Sequence, residues 1–454
     1  MRVLRAATLT LAVATSLATA QQAAPAAGGA LTLQAAVERA RAYEARHQAA
    51  QAGFRADREI LDQTRGALLP EVSISANRTR NKLTAEFGNQ STQSLDYYSG
   101  GSSISLRQPV YRPESWARYQ QAQAEVVRLQ AVLASDRNRV MVDVAAAYLE
   151  VLRSLAEYRS LQAQTKSAQG QAAAAARGVP LGLVSAAERD QRQARAELGT
   201  LRTMEAQAKM IEARRRLEQM VGHTVSTVMS PQEAGLASES FAVDDLALWQ
   251  DKANTASPEV RAARAAVEVA REGIERAKAG HKPTLDLVAG RSKSTSESFS
   301  SINNVYYNTS LGLQLTVPLF AGGRVNSAVR QAVAEHEKAQ AQLDHALRET
   351  SVLVEREHQT VRQAVQRLRA HDALVSSAQQ NLTAARAGLE RGNQSQLDVL
   401  EAQGQLESAQ FEQAGARLVL LAARMRLQSL AGEVDDQTVA QLDRLLVRPT
   451  NIER

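Results

Sequence analysis

The sequence predicts a mixed α/β chain in which long helical rods carry short β-hairpins. Three observations lead there. Two alternating stretches, SISLRQPVY at 103–111 and LGLQLTVPLFAGG at 311–323, each contain proline and are each followed by a very long helical run. The helical runs are rich in Ala, Gln, Arg and Glu, with large apolar residues spaced by three, four or seven. One unit, about 31–222, recurs at about 243–432.

The N-terminus reads as an export signal. MRVLRAATLTLAVATSLATA has two early arginines, an apolar run too short to span a bilayer, and a small-residue end near Ala20. Loss of that segment would lower the formal charge from +6 to +4, so the basic balance is weak evidence for an anionic partner. Residues 21–30 form an N-terminal tail. At 44% apolar and 22% charged the 454-residue chain is not compositionally disordered. It has no cysteine, which leaves no disulfide, no thiolate metal site and no lipidated cysteine.

Each unit reads alike. A helix (31–67, then 244–279) leads to a strand (72–79, then 284–291). A loop rich in Ser, Asn, Gly and Tyr follows (80–101, then 292–308), then a second strand (103–111, then 310–320). A long helix (115–176, then 324–390) ends in a glycine-containing turn before a last helix (183–221, then 395–430). Leu33 to Pro70 matches Leu246 to Pro283 at a shift of 213, Pro109 matches Pro318 at 209, and Gly182, Glu188 and Gly222 match Gly392, Asp398 and Gly432 at 210. Residues 223–242 read as a linker and 433–454 as a C-terminal tail. A helix over 324–390 would be about 100 Å long, too long for a globular core to cover, so it must lie against other long helices. The two shorter helices of a unit, stacked end to end, could run antiparallel beside it.

Strands that enter a bilayer cannot leave open edges, because unpaired backbone groups in hydrocarbon cost several kcal/mol each. Four strands are too few to close a barrel, since single-chain barrels begin at about eight. Several copies must then contribute. Two would supply eight strands and three would supply twelve, and nothing in the pattern chooses between them.

LTLQAAVERA, the duplicated unit, TVPLFAGGR and the turn RGNQSQLDVLEAQ together resemble the TolC family of outer-membrane channel proteins, over about 31–432. The resemblance implies a homotrimer, with a twelve-stranded barrel in the outer membrane of a Gram-negative bacterium and a coiled-coil tunnel through the periplasm. It implies partners too: outer-membrane lipid, a periplasmic adaptor, and an inner-membrane transporter driven by ATP or by protons. Type I protein secretion is the main expectation, leaning on the missing lipid anchor. Multidrug or metal-ion efflux is the alternative, and a periplasmic helical adaptor or scaffold the alternative from another class.

Asp398 and Glu401 are three apart, on one helix face. The resemblance places them as acidic rings at the tunnel constriction. It places Glu188 in the entrance latch, where Leu389 and Gln394 stand in place of the family's tyrosine and arginine. The turn tips, with Gly178, Gly182, Leu183, Gly392 and Leu397, are candidates for adaptor docking. Pro109, Pro318, Gly322 and Gly323 mark the passage from strand to rod. Tyr97, Tyr98, Tyr306 and Tyr307 suit a membrane interface.

An enzyme finds no support. His336, His345, His358 and His371 are spaced by 9, 13 and 13, lack a metal-binding pattern, and read as polar rod-surface residues. There is no phosphate-binding glycine loop and no cofactor is expected. The arginines are interleaved with Glu and Gln, so nucleic acid is not an expected partner.

Overall fold

The computed structural model describes residues 30–85, 93–231, 245–296 and 302–452. The expected signal segment and most of the N-terminal tail and linker lie outside them.

The first unit begins with α1 (Leu33–Tyr43), α2 (Ala45–Arg58) and α3 (Ile60–Gly66). Then come β1 (Glu71–Ala85), β2 (Gln93–Tyr111), α4 (Pro113–Gly178), α5 (Ala186–Val221) and β3 (Thr227–Pro231). The second has α6 (Leu246–Ala256), α7 (Pro258–Lys278), β4 (Thr284–Thr295), β5 (Val305–Thr316), α8 (Arg324–Glu390) and α9 (Gln396–Leu430). The chain closes with α10 (Asp436–Asp443) and β6 (Leu446–Asn451).

The long helices fall close to their expected spans, because their apolar period is unbroken and Pro113 starts α4 where a missing N–H costs nothing. The first helix of each unit is not continuous. Glu44 is extended (ψ 117°) and its carboxylate accepts the His47 N–H at 2.7 Å, so it ends α1 and caps α2. Ser257 is likewise extended (ψ 128°) because Pro258 follows it.

The strands are longer than expected. Much of the Ser-, Asn- and Tyr-rich sequence expected as loop is paired strand: Arg80 faces Tyr98, Lys82 faces Asp96, and Lys293 faces Tyr307. A strand with polar residues on both faces shows no apolar alternation to betray it. Conversely, β5 ends at Thr316, so Pro318 lies beyond the ladder, in the link to α8. One antiparallel sheet holds all four strands in the order β1-β2-β4-β5, with β2 pairing across units to β4.

The shorter helices pack along the rods. Helix α5 lies on α4 and α9 on α8, while α2 and α3 lie on α4 and α7 packs against both rods. The main core sits where these meet midway. Tyr148, Met141 and Val144 of α4 join Leu217 of α5, Leu368 of α8 and Leu420, Leu421 and Met425 of α9. The segments expected as linker and tail supply part of it. Strand β3 pairs with β6, Leu31 bridges to Val228, and Val228 and Ile452 are fully buried. The Tyr148 hydroxyl accepts the Met229 N–H at 2.7 Å and lies 2.7 and 2.9 Å from the carbonyls of Leu31 and Met229. Burial raises its pKa above the usual phenol range, so it stays a neutral donor. His358 corrects the surface expectation for the histidines: it is buried in the middle of α8, beside Val361.

Candidate transport site: the sheet and the helical turns

Cross-strand register assigns the faces of the sheet, since directly opposed residues share one. Val72, Leu106, Ala289 and Leu311 form one row, and Ile74, Ile104, Arg291 and Thr309 the next. Leu285 with Leu315 and Leu287 with Leu313 extend the same face toward the rods. Ser73, Ser105, Gly290 and Ser310 lie on the other face, followed by Ser75, Ser103, Ser292 and Asn308. Ser73 and Ser105 bond at 2.8 Å, as do Ser75 and Ser103. The sheet is thus apolar on one face and hydroxyl-rich on the other, the two sides a lipid-embedded, water-lined wall requires. Strands β1 and β5 each pair on one side only, and every residue of β5 is exposed. Tyr98 and Tyr307 lie on the apolar-row face; Tyr97 and Tyr306 lie on the hydroxyl face.

At the passage from sheet to rod, register shifts between Pro109 and Tyr111. Beyond Pro318, Leu319 and Phe320 are 93% and 91% exposed. Gly322 (φ 59°) and Gly323 (φ 76°) then turn the chain into α8. A group the sequence reasoning missed ties the passage together. Asp286 is 2% exposed and is held by Arg107 at 2.6 Å and by Arg112 at 2.9 and 3.0 Å. This joins the start of β4 to the end of β2 and the residue before α4. The only hint in sequence was an acid and an arginine set between the apolar residues of TLDLV and SISLRQPVY.

The turns at the far end of the rods are built alike. Gly182 (φ 70°) and Gly392 (φ 76°) take the left-handed conformation that ends each hairpin's first helix. Gly178 and Gly388 allow close approach: an added Cβ would lie 2.9 Å from Val184 and 2.7 Å from Gln394. Ser185 and Ser395 cap the returning helices, accepting the N–H of Glu188 and Asp398. Leu181 and Leu183 are 71% and 75% exposed at the first tip.

The latch candidates differ in their surroundings. Leu389 packs against a small cluster of Leu382, Ala385, Val399, Ala402 and Leu406. Gln394 folds over Gly388. Glu188 is neutralised within its own helix by Arg192 at 2.5 Å. Asp398 closes a capping box, accepting from the Ser395 N–H at 2.7 Å and hydroxyl at 3.0 Å. Asp398 and Glu401 are both exposed. Where Arg192 stands in α5, the matched position of α9 is Ala402, and α9 carries Asp398, Glu401, Glu407 and Glu412 before its first cation, Arg417. The tip of α9 is therefore acidic, and that of α5 is not.

Among the described residues no group of His, Asp or Glu side chains could hold a metal, and no helix is long and apolar enough to cross a membrane.

Comparison with known proteins agrees with this architecture. The chain matches the profile of the outer membrane efflux protein family over residues 36–223 and 249–433. It is 31% identical to the alkaline protease secretion protein AprF of Pseudomonas aeruginosa, over 86% of this chain and 82% of that one. It is 27% identical to the outer membrane protein TolC of Escherichia coli, over 87% and 80%. The solved outer membrane protein VceC of Vibrio cholerae superposes with a TM-score of 0.69 at 18% identity, covering 88% of this chain and 96% of that one. The rods, the four-stranded sheet and these matches together establish that the chain belongs to the TolC family of outer membrane efflux proteins, non-catalytic channels of the Gram-negative outer membrane used in secretion or efflux.

Proposed function

We propose that the chain acts as a homotrimeric exit duct, receiving cargo from an inner-membrane transporter through a periplasmic adaptor and releasing it outside the cell. The observation that carries this is the open-edged, two-sided sheet at the end of rods about 100 Å long. Three copies would supply twelve strands, pairing β5 of one with β1 of the next, and the rods would continue the wall inward. The exposed Leu319 and Phe320 would be covered by a neighbouring copy.

The acidic tip of α9 fits a constriction. Three copies around an axis would bring three Asp398 and three Glu401 carboxylates together, which repel one another and attract cations. With Leu389 packed inside its own chain and Gln394 uncharged, closure would rest on fewer charge-assisted bonds than a latch with tyrosine and arginine. A partner bound along the rods opens such an iris only through its higher affinity for the open state. The test is single-channel recording in a planar bilayer. The parent should conduct with cation preference, and Asp398→Ala with Glu401→Ala should lower that preference. Unchanged selectivity would remove the acidic rings from the account.

On cargo, efflux of small molecules or ions has the broader support, from the match to the outer membrane efflux protein family over most of the chain. Protein secretion, the main expectation from sequence, keeps a specific observation in its favour, the likeness to a protease secretion protein. A strain lacking its own ducts separates the two. Expression beside a drug pump would restore drug resistance under the first, and expression beside a protein exporter would restore secreted protease under the second.

A further inference from the structure

The face with the apolar rows does not stay apolar. Going away from the rods, the row of Ile74 and Ile104 contains Arg291, and the next contains Lys293 beside Tyr307. Arg78 follows, then Arg80 opposite Tyr98, then Lys82 opposite Asp96. All five cations are exposed. Asp96 is the only carboxylate on this face of the four strands among the described residues, and it is bonded to Arg80. Three ring contacts lie within this belt. Arg78 and Arg80 sit 4.9 and 6.0 Å from the centre of the Tyr98 ring, and Lys293 5.7 Å from that of Tyr307. The opposite face from Ser73 outward carries Ser, Asn, Thr, Gly, Tyr and Leu, with no charge among the described residues. The cations are therefore segregated to the side that would face lipid.

Their height is set by the strand. From the row of Tyr111 and Leu315 to that of Lys293 and Tyr307 is eight residues, about 26 Å along the strand and about 20 Å along the membrane normal at a tilt of about 40°. Arg78 and Arg80 stand about 5 and 10 Å higher. An outward apolar band is about 25 Å tall, so Lys293, Arg78 and Arg80 straddle its upper boundary, where the headgroups begin, while Arg291 stands about 5 Å below Lys293 and reaches up to that boundary along its stem. Arginine and lysine there keep their stems in the apolar layer and their charges in the headgroup layer. Arginine also matches phosphate oxygens two at a time.

We propose that this belt binds the phosphate groups of the outer-leaflet glycolipid, with Arg78, Arg291 and Lys293 as the principal donors, Arg80 and Lys82 supporting them, and Tyr98 and Tyr307 as rigid platforms. It rests on the reading of the sheet as barrel wall. The occupant is a lipid rather than a free anion because the cations continue directly from the apolar rows, so acyl chains and phosphates are met by one surface.

The test uses full-length protein in a neutral detergent, titrated with bisphosphorylated lipid A and with lipid A lacking both phosphates, and read by native mass spectrometry. The parent should retain the phosphorylated form at least about tenfold better, and Arg78→Gln with Arg291→Gln and Lys293→Gln should abolish that preference. Arg78→Lys with Arg291→Lys should keep most of it. Equal retention of the two lipids, or a glutamine variant that still discriminates, overturns the proposal. So does saturable binding of inorganic phosphate that requires the same three residues, which would make this a free-anion site. If the triple variant fails to insert, Arg78→Gln alone decides, with a partial loss expected and no loss overturning. Conductance of the same preparations keeps the two readings apart. A parent that discriminates but does not conduct defeats the duct, and one that conducts but does not discriminate defeats the lipid site.

Discussion

At the residue scale, three polar groups far apart in sequence hold the parts together. Tyr148 links α4 to the small sheet through the Met229 N–H and two carbonyls. Tyr148→Phe leaves those buried groups unsatisfied and is expected to cost about 1–3 kcal/mol, read as a lower thermal midpoint. Asp286 holds two arginines between sheet and rod. Asp286→Asn should cost about 1–3 kcal/mol, seen as dissociation of the unboiled oligomer at lower temperature on a gel, since both guanidinium groups lose an ionised acceptor. Asp436 is held below the usual carboxylate range, chiefly by its hydrogen bond from Arg41 and then by the charges of Arg41 and Arg137, against the opposing effect of burial. A depressed folded pKa stabilises above the unfolded value of about 3.9 and loses that contribution as pH falls through the folded one. Asp436→Asn should therefore lower the midpoint at pH 7, and progressively less as the pH is taken below about 4. Because the carboxylate is largely exposed, the effect should be less than about 1 kcal/mol. None of these contacts was legible in the sequence. The partners of Asp286 lie 174 and 179 residues away, and no local pattern encodes such a pairing.

At the element scale, what could be read depended on whether an element has a period of its own. The rods were legible because their apolar residues recur at helical spacing over more than sixty positions. The break at Ser257 had a signal in Pro258, whereas Glu44 gave none until its capping bond to His47 was seen. Strand length was misread where polar residues occupy both faces, and β3, α10 and β6 were missed because their apolar residues are few and meet only in the shared core. The turns were legible from glycine position. Gly182 and Gly392 sit 210 apart and share one backbone conformation. Alanine at either is expected to cost about 1 kcal/mol and to speed proteolytic nicking at that tip alone. At the tip of α9, the spacing of Asp398 and Glu401 could be read directly. That Asp398 also caps its own helix, and that Leu389 serves a small core, needed the folded chain.

At the scale of the whole molecule, the sheet dictates the rest. Its apolar face, its hydroxyl face and its two edges left unpaired among the described residues are what the proposed ring of copies would complete, with the rods as the walls of the passage beneath. The natural absence of cysteine makes this directly measurable. A cysteine at Ile74 on the edge strand β1, combined in turn with one at Leu311, Leu313 or Leu315 on β5, places both thiols on the outward face. Oxidation in intact outer membranes should, for the pair in register, yield covalent dimers and trimers with nothing larger. Monomers alone from every pair, or a ladder running past three, would contradict a closed ring of three chains.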